Sequence, residues 1–196
     1  VEEELQYRLN FQHLITTVSS QFINLHPAQI DDEIDYALKQ IGEFSDADRS
    51  YIFQFSDDQK SKSCTHEWCA EGIEPIMERI QNPSMVTYPW SMKRYLRGDT
   101  VSIPRVSEMP PEAIDAKHDL EQLGVQSILN VPMASGGKVM GFIGLTSIRE
   151  EKMWAKDTSS LLKIVGQVFA NALENKKTRQ ALHESEEHLR TVYETF

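Results

Sequence analysis

Two cysteines and a histidine lie close together on one short segment. Cys64 and His66 are two residues apart, and Cys69 follows five residues after Cys64. A thiol beside an imidazole can form a nucleophilic pair or bind a metal ion. The segment alternates like a β-strand, which predicts Cys64 and His66 on one face and Cys69 on the other. The thiols are then not expected to share a metal ion or a disulfide, and we interpret both as small buried hydrophobic residues.

The rest of the sequence has no other arrangement typical of catalysis. It has no Ser, His and Asp in a catalytic order, no glycine-rich phosphate loop and no histidine spacing of the metal-binding kind. We therefore expect neither a catalytic residue nor a metal site.

A second group of residues is typical of a small-molecule pocket. Aromatic and thioether side chains are frequent around an irregular middle segment, and a few polar side chains could orient a ligand among them. The alternative is that they only cover one face of a sheet, because large apolar side chains are mostly core. Asn130 interrupts an apolar strand, so its amide needs a partner. The candidate pocket residues are His66, Trp68, Tyr88, Trp90, Met92, Arg105, Met109 and Asn130.

The periodicity of the apolar residues predicts the elements that position these side chains. Helices are expected near 7–25, 29–43, 75–80, 89–98, 110–124 and 161–196, and strands near 49–55, 63–70, 101–103, 126–133 and 138–147. The turn at Gly136 and Gly137 is the strongest hairpin signal, and Gly141 and Gly144 indicate a close approach to a central strand. This order predicts an α+β fold with a mainly antiparallel sheet, terminal helices on one face and residues 71–124 on the other.

Composition limits the possible partners. The 196 residues are 40% hydrophobic, which favours one domain with helical extensions. The net charge of −10, with basic residues scattered among acidic ones, argues against nucleic-acid binding. No apolar run approaches the roughly 18 residues of a membrane span. Two cysteines without paired spacing are typical of a reducing cytoplasm.

Seven short segments follow one another along the chain: ADRSYIF (47–53), YPW (88–90), GDTVSIP (98–104), VSEMPP (106–111), LEQLGV (120–125), VPM (131–133) and GFIGL (141–145). In this order they resemble the GAF domains of bacterial signalling proteins. The resemblance covers roughly residues 29–173. It implies a sheet of about six strands with a small-molecule pocket on the face away from the terminal helices.

The resemblance leaves the ligand open. Neither cysteine is followed by His, as the covalent bilin site of the family usually requires, and the Asn-Lys…Phe…Asp-Glu pattern of its cyclic-nucleotide binders is absent. Covalent bilin, haem and cyclic nucleotides are therefore not expected. The methionine sulfoxide reductases of this fold place cysteines near the third strand, where residues 98–109 contain none.

The last 35 residues predict a long helix that leaves the domain. Apolar residues recur at spacings of three and four, and an Asn at an a position favours a parallel two-stranded pairing. The proposed seam includes Leu161, Ile164, Val168, Asn175, Leu182 and Leu189. Packing of a single helix on its own domain is the alternative, and it is expected as far as Leu173.

Together these features predict three parts of a longer protein. Residues 1–27 form an N-terminal signalling helix, 28–173 a GAF domain, and 174–196 a coiled-coil linker to a following domain, where residues 184–193 are similar to the start of a PAS domain. The predicted function is a non-catalytic sensory module of a histidine kinase or nucleotide cyclase. A ligand-free dimerisation spacer and a thiol enzyme are the alternatives.

Overall fold

The computed structural model describes residues 2–80 and 83–194. Within them an α+β domain carries a long helix at each end, which confirms the predicted fold class. The helices are α1 (Glu2–Gln21), α2 (Ile30–Phe44), α3 (Pro89–Leu96), α4 (Ile114–Gln122) and α5 (Lys156–Glu194). The strands are β1 (Arg49–Phe55), β2 (Lys62–Cys69), β3 (Val101–Ile103), β4 (Ser127–Ser135) and β5 (Lys138–Ser147).

The five strands form one antiparallel sheet in the order β2-β1-β5-β4-β3. The expected hairpin joins β4 to β5, where Ser135 pairs with Lys138 across two glycines at positive φ. Residues 71–80 contain turns rather than the short helix expected at 75–80, and a short 3-10 helix follows at Met85–Thr87. About six strands were expected, and the described residues contain five.

Each face of the sheet buries its own core. Ile52, Leu129 and Ile143 point towards α1, α2 and α5, where they pack with Ile34 and Phe169. The opposite face presents alternate residues of the same strands to α3, α4 and the loops around them. This division places the cavity described below on the side away from the long helices.

A β-bulge at Thr65 divides β2 into two parts, and the alternation of side chains between the two faces of the sheet is reversed from one part to the other. Ile52 pairs with His66, but the next residue of β1, Phe53, pairs with Cys64, so Thr65 has no partner across the strand. One extra residue reverses the alternation of side chains beyond it. His66 and Trp68 therefore face the long helices, whereas Cys64 faces the opposite core.

Helix α5 has two different halves. Its first half lies in the core, where Leu161, Leu162 and Phe169 are fully buried. Beyond Leu173 the helix leaves the domain and exposes Leu182 and Leu189. The prediction that Leu161 belongs to a dimer seam is wrong, because its side chain is enclosed by its own domain. The expected helix ended at 196, and its last two residues lie outside the part that the structure describes.

Candidate functional site

A cavity of about 110 Å³ lies between the sheet and the segment that contains α3 and α4. Strand β1 supplies its floor, because alternate residues of a strand point to the same face. Most of the wall is apolar or aromatic, with charged groups at a few positions. Its principal polar or aromatic lining residues are Arg49, Tyr51, Phe53, Lys62, Tyr88, Tyr95, Asp119, Asn130, Phe142 and Thr146.

A buried polar network crosses the floor of the cavity. The Tyr51 hydroxyl donates to Asn130 Oδ1 at 2.7 Å, and Asn130 Nδ2 donates to the Tyr95 hydroxyl at 2.7 Å. Burial raises the pKa of both tyrosines, so both hydroxyls stay protonated. The predicted need of Asn130 for partners is thereby met by two side chains from different elements. The network ties β1, β4 and α3 together.

Gly144 makes this network possible. A Cβ at this position would lie 2.0 Å from Asn130 Oδ1 and 2.5 Å from the Tyr51 ring. The close approach expected from the glycines of β5 is confirmed here, and Gly141 would similarly bring a Cβ to 2.0 Å from the Phe53 carbonyl oxygen. Any larger residue at 144 would push the tyrosine into the cavity.

A buried ion pair closes one end of the cavity. Arg49 Nε lies 3.0 Å from Glu67 Oε1, and both side chains are less than 5% exposed. Arg49 Nη2 donates to the Glu74 carbonyl at 2.6 Å, and Glu67 accepts from the Ile76 and Met77 amides at 2.9 Å. These bonds hold the loop after β2 against the sheet. Within the described part of the chain, Arg49 Nη1 and the neighbouring Thr146 hydroxyl have no hydrogen-bond partner.

Lys62 supplies a second cation at the other end. Its Nζ lies 4.3 Å from the centroid of the Tyr88 ring, 5.4 Å from that of Phe53 and 5.7 Å from that of Phe142. These are cation–π contacts. Burial lowers the pKa of Lys62 to about 8, although Asp119 acts in the opposite direction.

Tyr88 and Asp119 form the rim beside this lysine. The Tyr88 hydroxyl donates to Asp119 Oδ2. Burial, and then the Asp119 carboxylate, raise the pKa of Tyr88 to about 12. The carboxylate is therefore engaged by a protonated phenol and forms no ion pair with Lys62 among the described contacts.

The structure brings together only part of the predicted pocket. Tyr88, Met109 and Asn130 line the cavity, and Met92 is buried in the same core without lining it. Trp90 packs against the outside of that core under the Arg94 guanidinium, 3.8 Å from its ring centroid.

Three of the predicted pocket residues lie elsewhere. His66 and Trp68 are on the helix face of the sheet because of the bulge at Thr65. Arg105 lies on the surface, where it pairs with Glu108 and Glu151 at 2.9 Å. Assigning these three to the pocket was wrong.

The bulge also changes the prediction for the thiols. Cys64 pairs with Phe53 and Cys69 with Arg49, and directly paired residues share a face. The two cysteines thus lie on the same face, contrary to the sequence prediction, although no disulfide joins them. Burial raises the pKa of both, most strongly that of Cys64, which disfavours the nucleophilic thiolate.

Several charged and phenolic lining residues were not predicted from the sequence: Arg49, Tyr51, Lys62, Tyr95 and Asp119. The alternation of β1 was the available signal for Arg49 and Tyr51, because residues two apart on a strand share a face. A lysine at the first residue of β2, opposite an aromatic strand, was the available signal for Lys62. Tyr95 carried no pattern of its own, because a tyrosine on a short helix is ordinary core.

A set of ion pairs connects the sheet to α5 on the opposite face. His66 Nε2 lies 3.2 Å from Asp31 Oδ1 on α2, and the second oxygen of Asp31 pairs with Lys176. The adjacent Lys177 pairs with Asp57 in the β1–β2 turn. Both lysines are just beyond Leu173, where α5 leaves the domain.

The family model described as "GAF domain" matches residues 29–173 of this chain, which is most of its length. The chain belongs to the GAF domain family. Its match to the "methanogenesis regulatory histidine kinase FilI" of Methanothrix harundinacea (strain 6Ac) is 29% identical over 160 residues. That match covers 78% of this chain and 17% of the relative, so the GAF chain spans only a small part of that protein.

Solved structures with the same fold include chromophore-binding domains of phytochromes. A phycocyanobilin-bound GAF domain from a cyanobacterial phytochrome superposes with a TM-score of 0.72 at 15% identity, covering 86% of this chain and 96% of that one. The chromophore-binding domain of a bacteriophytochrome from R. palustris gives 0.73 at 12% identity, covering 89% and 63%. Identities this low establish a shared fold alone.

The cavity of this GAF domain does not fit a tetrapyrrole. The Phe142 ring stacks on those of Tyr95 and Phe53, with centroids 4.4 and 5.0 Å apart, and so fills the space that a large ligand would need. The remaining volume of about 110 Å³ is well below the roughly 300–1,000 Å³ of typical ligand sites. Neither Cys64 nor Cys69 is among the lining residues.

The described residues also lack two other features, a metal-binding cluster and a helix that could span a membrane. Across residues 2–80 and 83–194, no three His, Cys, Asp or Glu side chains are grouped so that they could hold a metal ion. In the same residues, no helix has the length and apolar content of a bilayer span.

Proposed function

We propose that this GAF domain is the sensory and relay module of a longer cytoplasmic signalling protein whose output is a histidine kinase. Family membership and the kinase relative support a role in signal transduction. The chain covers 17% of that relative, so any kinase activity belongs to other parts of the protein. In this proposal, residues 184–193 lead into a PAS-like domain.

The observation that carries the proposal is the continuity of α5. One helix of 39 residues begins in the core beneath the sheet and extends beyond the domain without a break. A change in how the sheet packs on Leu162 or Phe169 must therefore move the exposed half as well, because a helix transmits displacement along its axis. At about 1.5 Å per residue, the stretch from 174 to 194 spans roughly 30 Å.

The ion pairs at Lys176 and Lys177 give the cavity a physical route to this helix. Strand β2 carries Lys62 in the cavity wall and His66 on the opposite face, so a shift of this strand reaches Asp31 and then Lys176. Asp57 in the turn that precedes β2 holds Lys177. A ligand would act through its different affinities for two positions of these elements.

The exposed half of α5 is proposed to pair with a second copy in parallel. Leu182 and Leu189 are 59% and 52% exposed, and Ile164 is also exposed, at heptad positions. Val168 is partly covered by its own domain, and Asn175 is exposed at an a position. These five residues keep the predicted seam, without Leu161.

Cysteine crosslinking tests the relay. We expect Leu182→Cys on the seam to form intermolecular disulfides, and Glu187→Cys, on the other side of the same helix, to form few. Cys69→Ser in all variants prevents reaction of the native half-buried thiol. Adding Tyr95→Phe, which removes a hydroxyl of the cavity network, should change the Leu182→Cys rate by about fivefold or more, in the usual range of coupling energies.

Tyr36→Phe is the matched control, because it removes the same hydroxyl from an exposed tyrosine of α2 that does not line the cavity. It should leave the crosslinking rate unchanged. Equal rates in the Tyr95→Phe and control backgrounds would contradict the relay, and equal crosslinking at 182 and 187 would contradict the seam.

A ligand-free dimerisation spacer is the second candidate, and the stacked rings of Phe53, Phe142 and Tyr95 favour it. They fill much of the space between the sheet and α3. Native mass spectrometry of the purified chain distinguishes the two functions, because a bound small molecule excludes the spacer.

A further inference from the structure

Among the residues that the structure describes, Lys62 is a cavity cation without an ion-pair partner. Arg49 is matched by Glu67 in a buried pair. Lys62 has neither an ion pair nor a hydrogen bond from its Nζ among the described residues, and this atom lies over three aromatic rings. Asp119 is the nearby acid, and it accepts the Tyr88 hydroxyl instead. Taking an ammonium out of water is unfavourable unless an anion accompanies it.

Several further groups on the wall have hydrogen atoms to donate. Arg49 Nη1 and the Thr146 hydroxyl are buried without a hydrogen-bond partner among the described residues. The Tyr95 hydroxyl accepts from Asn130, and its own hydrogen has no acceptor in the described part of the chain. A wall that presents donors and a spare positive charge is complementary to a ligand rich in oxygen acceptors.

The volume of the cavity and its apolar walls further limit the class of ligand that it can bind. The volume of about 110 Å³ admits a molecule of several non-hydrogen atoms. Apart from Lys62, its surroundings at this end are the rings of Phe53, Tyr88 and Phe142. Aromatic walls suit a carbon skeleton better than a strongly hydrated inorganic ion.

We propose that the cavity binds a small organic carboxylate whose charged group pairs with the Lys62 ammonium. This inference rests on the proposed sensory function and specifies the chemical class of its ligand. The lowered pKa of Lys62, about 8, is consistent with a desolvated ammonium that lacks its counter-ion. Binding of a carboxylate raises that pKa again, because an opposite charge favours the charged amine.

The test compares carboxylates with their neutral amides. Acetate, pyruvate and benzoate are titrated at constant ionic strength and pH 7 by calorimetry and thermal shift, against acetamide, pyruvamide and benzamide. At least one carboxylate should bind, and its amide should bind at least about tenfold more weakly, as expected for a charge-assisted hydrogen bond. Affinity should fall as the pH rises through about 8 and Lys62 loses its proton.

Lys62→Met removes the charge and shortens the unbranched side chain by one atom. We expect it to weaken carboxylate binding by about 10- to 100-fold. Lys60→Met, at an exposed lysine in the turn that precedes β2, is the matched control and should bind like the unmodified protein. Nitrate and chloride are included to separate an organic carboxylate from any inorganic anion.

Several results would overturn the inference. The inference fails if the amides bind as tightly as their acids or if no carboxylate binds. It also fails if Lys62→Met binds carboxylates as tightly as the unmodified protein does, or if nitrate or chloride binds as well as the carboxylates. None of these outcomes decides the relay, because the crosslinking experiment compares variants without an added ligand. Failure of the relay would in turn leave the titrations unaffected.

Discussion

Lys62 should reduce the stability of the protein in its present surroundings. Replacing it with Met removes a charge that burial disfavours and places a thioether among the same three rings. Most substitutions at partly buried positions destabilise a protein. We expect Lys62→Met to raise the free energy of unfolding at pH 7.

The magnitude follows from the pKa of the lysine. A fall from 10.5 to about 8 corresponds to about 3 kcal/mol, at about 1.4 kcal/mol per pH unit. Cation–π contacts and residual solvent at a half-buried side chain offset part of this, about 0.5–2 kcal/mol. The expected gain in stability at neutral pH is therefore about 1–3 kcal/mol.

The pH dependence has a definite sign. The unfolded chain keeps its Lys62 proton up to about pH 10.5, whereas the folded protein loses it near 8. Between these values the unfolded state binds more protons, so the Lys62 contribution makes the folded state more stable as the pH rises. The advantage of Lys62→Met should be complete below about pH 8 and should shrink towards pH 10.5.

Urea unfolding at pH 7 and about pH 9.5 measures this advantage in both proteins. Subtracting one protein from the other cancels the titration of cysteines and tyrosines, and Lys60→Met serves again as the exposed control. The reasoning is refuted if Lys62→Met is less stable than the unmodified protein at pH 7, or if the difference between them is the same at both pH values.

Two further substitutions test the floor of the cavity and the exit of α5. Gly144→Ala should lower the free energy of unfolding by about 2–4 kcal/mol in urea titrations, because its Cβ would overpack the floor and break a buried hydrogen bond. In Lys176→Met, the urea midpoint should fall less between pH 7 and about pH 3 than it does in the unmodified protein. Burial raises the pKa of Asp31, but Lys176 and then His66 outweigh it and leave the pKa below 3.8. The stabilisation by ionised Asp31 is complete above that value and is lost as the pH falls through the lower folded pKa.

Each of these has its own contradicting result. For the glycine, Gly166→Ala on α5 is the control, because its nearest contact would be 3.1 Å and alanine favours a helix by about 1 kcal/mol. Equal losses at 144 and 166 would mean that the close approach at Gly144 is unimportant. For the lysine, an acid profile identical to that of the unmodified protein would mean that its pairing with Asp31 does not contribute.

Periodicity predicted the fold well because the regular elements follow it. Helix α2 buries one stripe of apolar residues, and strand β5 buries one continuous run. The two glycines between β4 and β5 indicate the turn that joins these strands. The loop at 71–80 was predicted less well. It is held by hydrogen bonds to Glu67 and Arg49, across 9 and 25 positions of the chain, and the periodicity of apolar residues does not report such contacts.

The site was harder to predict, for two physical reasons. A single bulge at Thr65 reverses the facing of His66 and Trp68, and nothing in the local sequence marks where an extra residue is inserted. Charged residues such as Lys62 are usually solvated, so their burial emerges only from the surrounding rings. Asn130 was the exception, since a polar residue within an apolar strand is visible in the sequence.

The adjacent ion pairs of Lys176 and Lys177 constrain the orientation of α5 about its own axis. Successive residues of a helix point about 100° apart, and these two reach α2 on one side and the β1–β2 turn on the other. A single ion pair would allow the helix to rotate about its axis, whereas two ion pairs on different sides of the helix restrict this rotation. Torsion of the helix must loosen at least one of them, and an axial slide by one turn of about 5.4 Å would separate both. The two ion pairs therefore fix both the rotation of α5 about its axis and its position along that axis at the point where it leaves the domain.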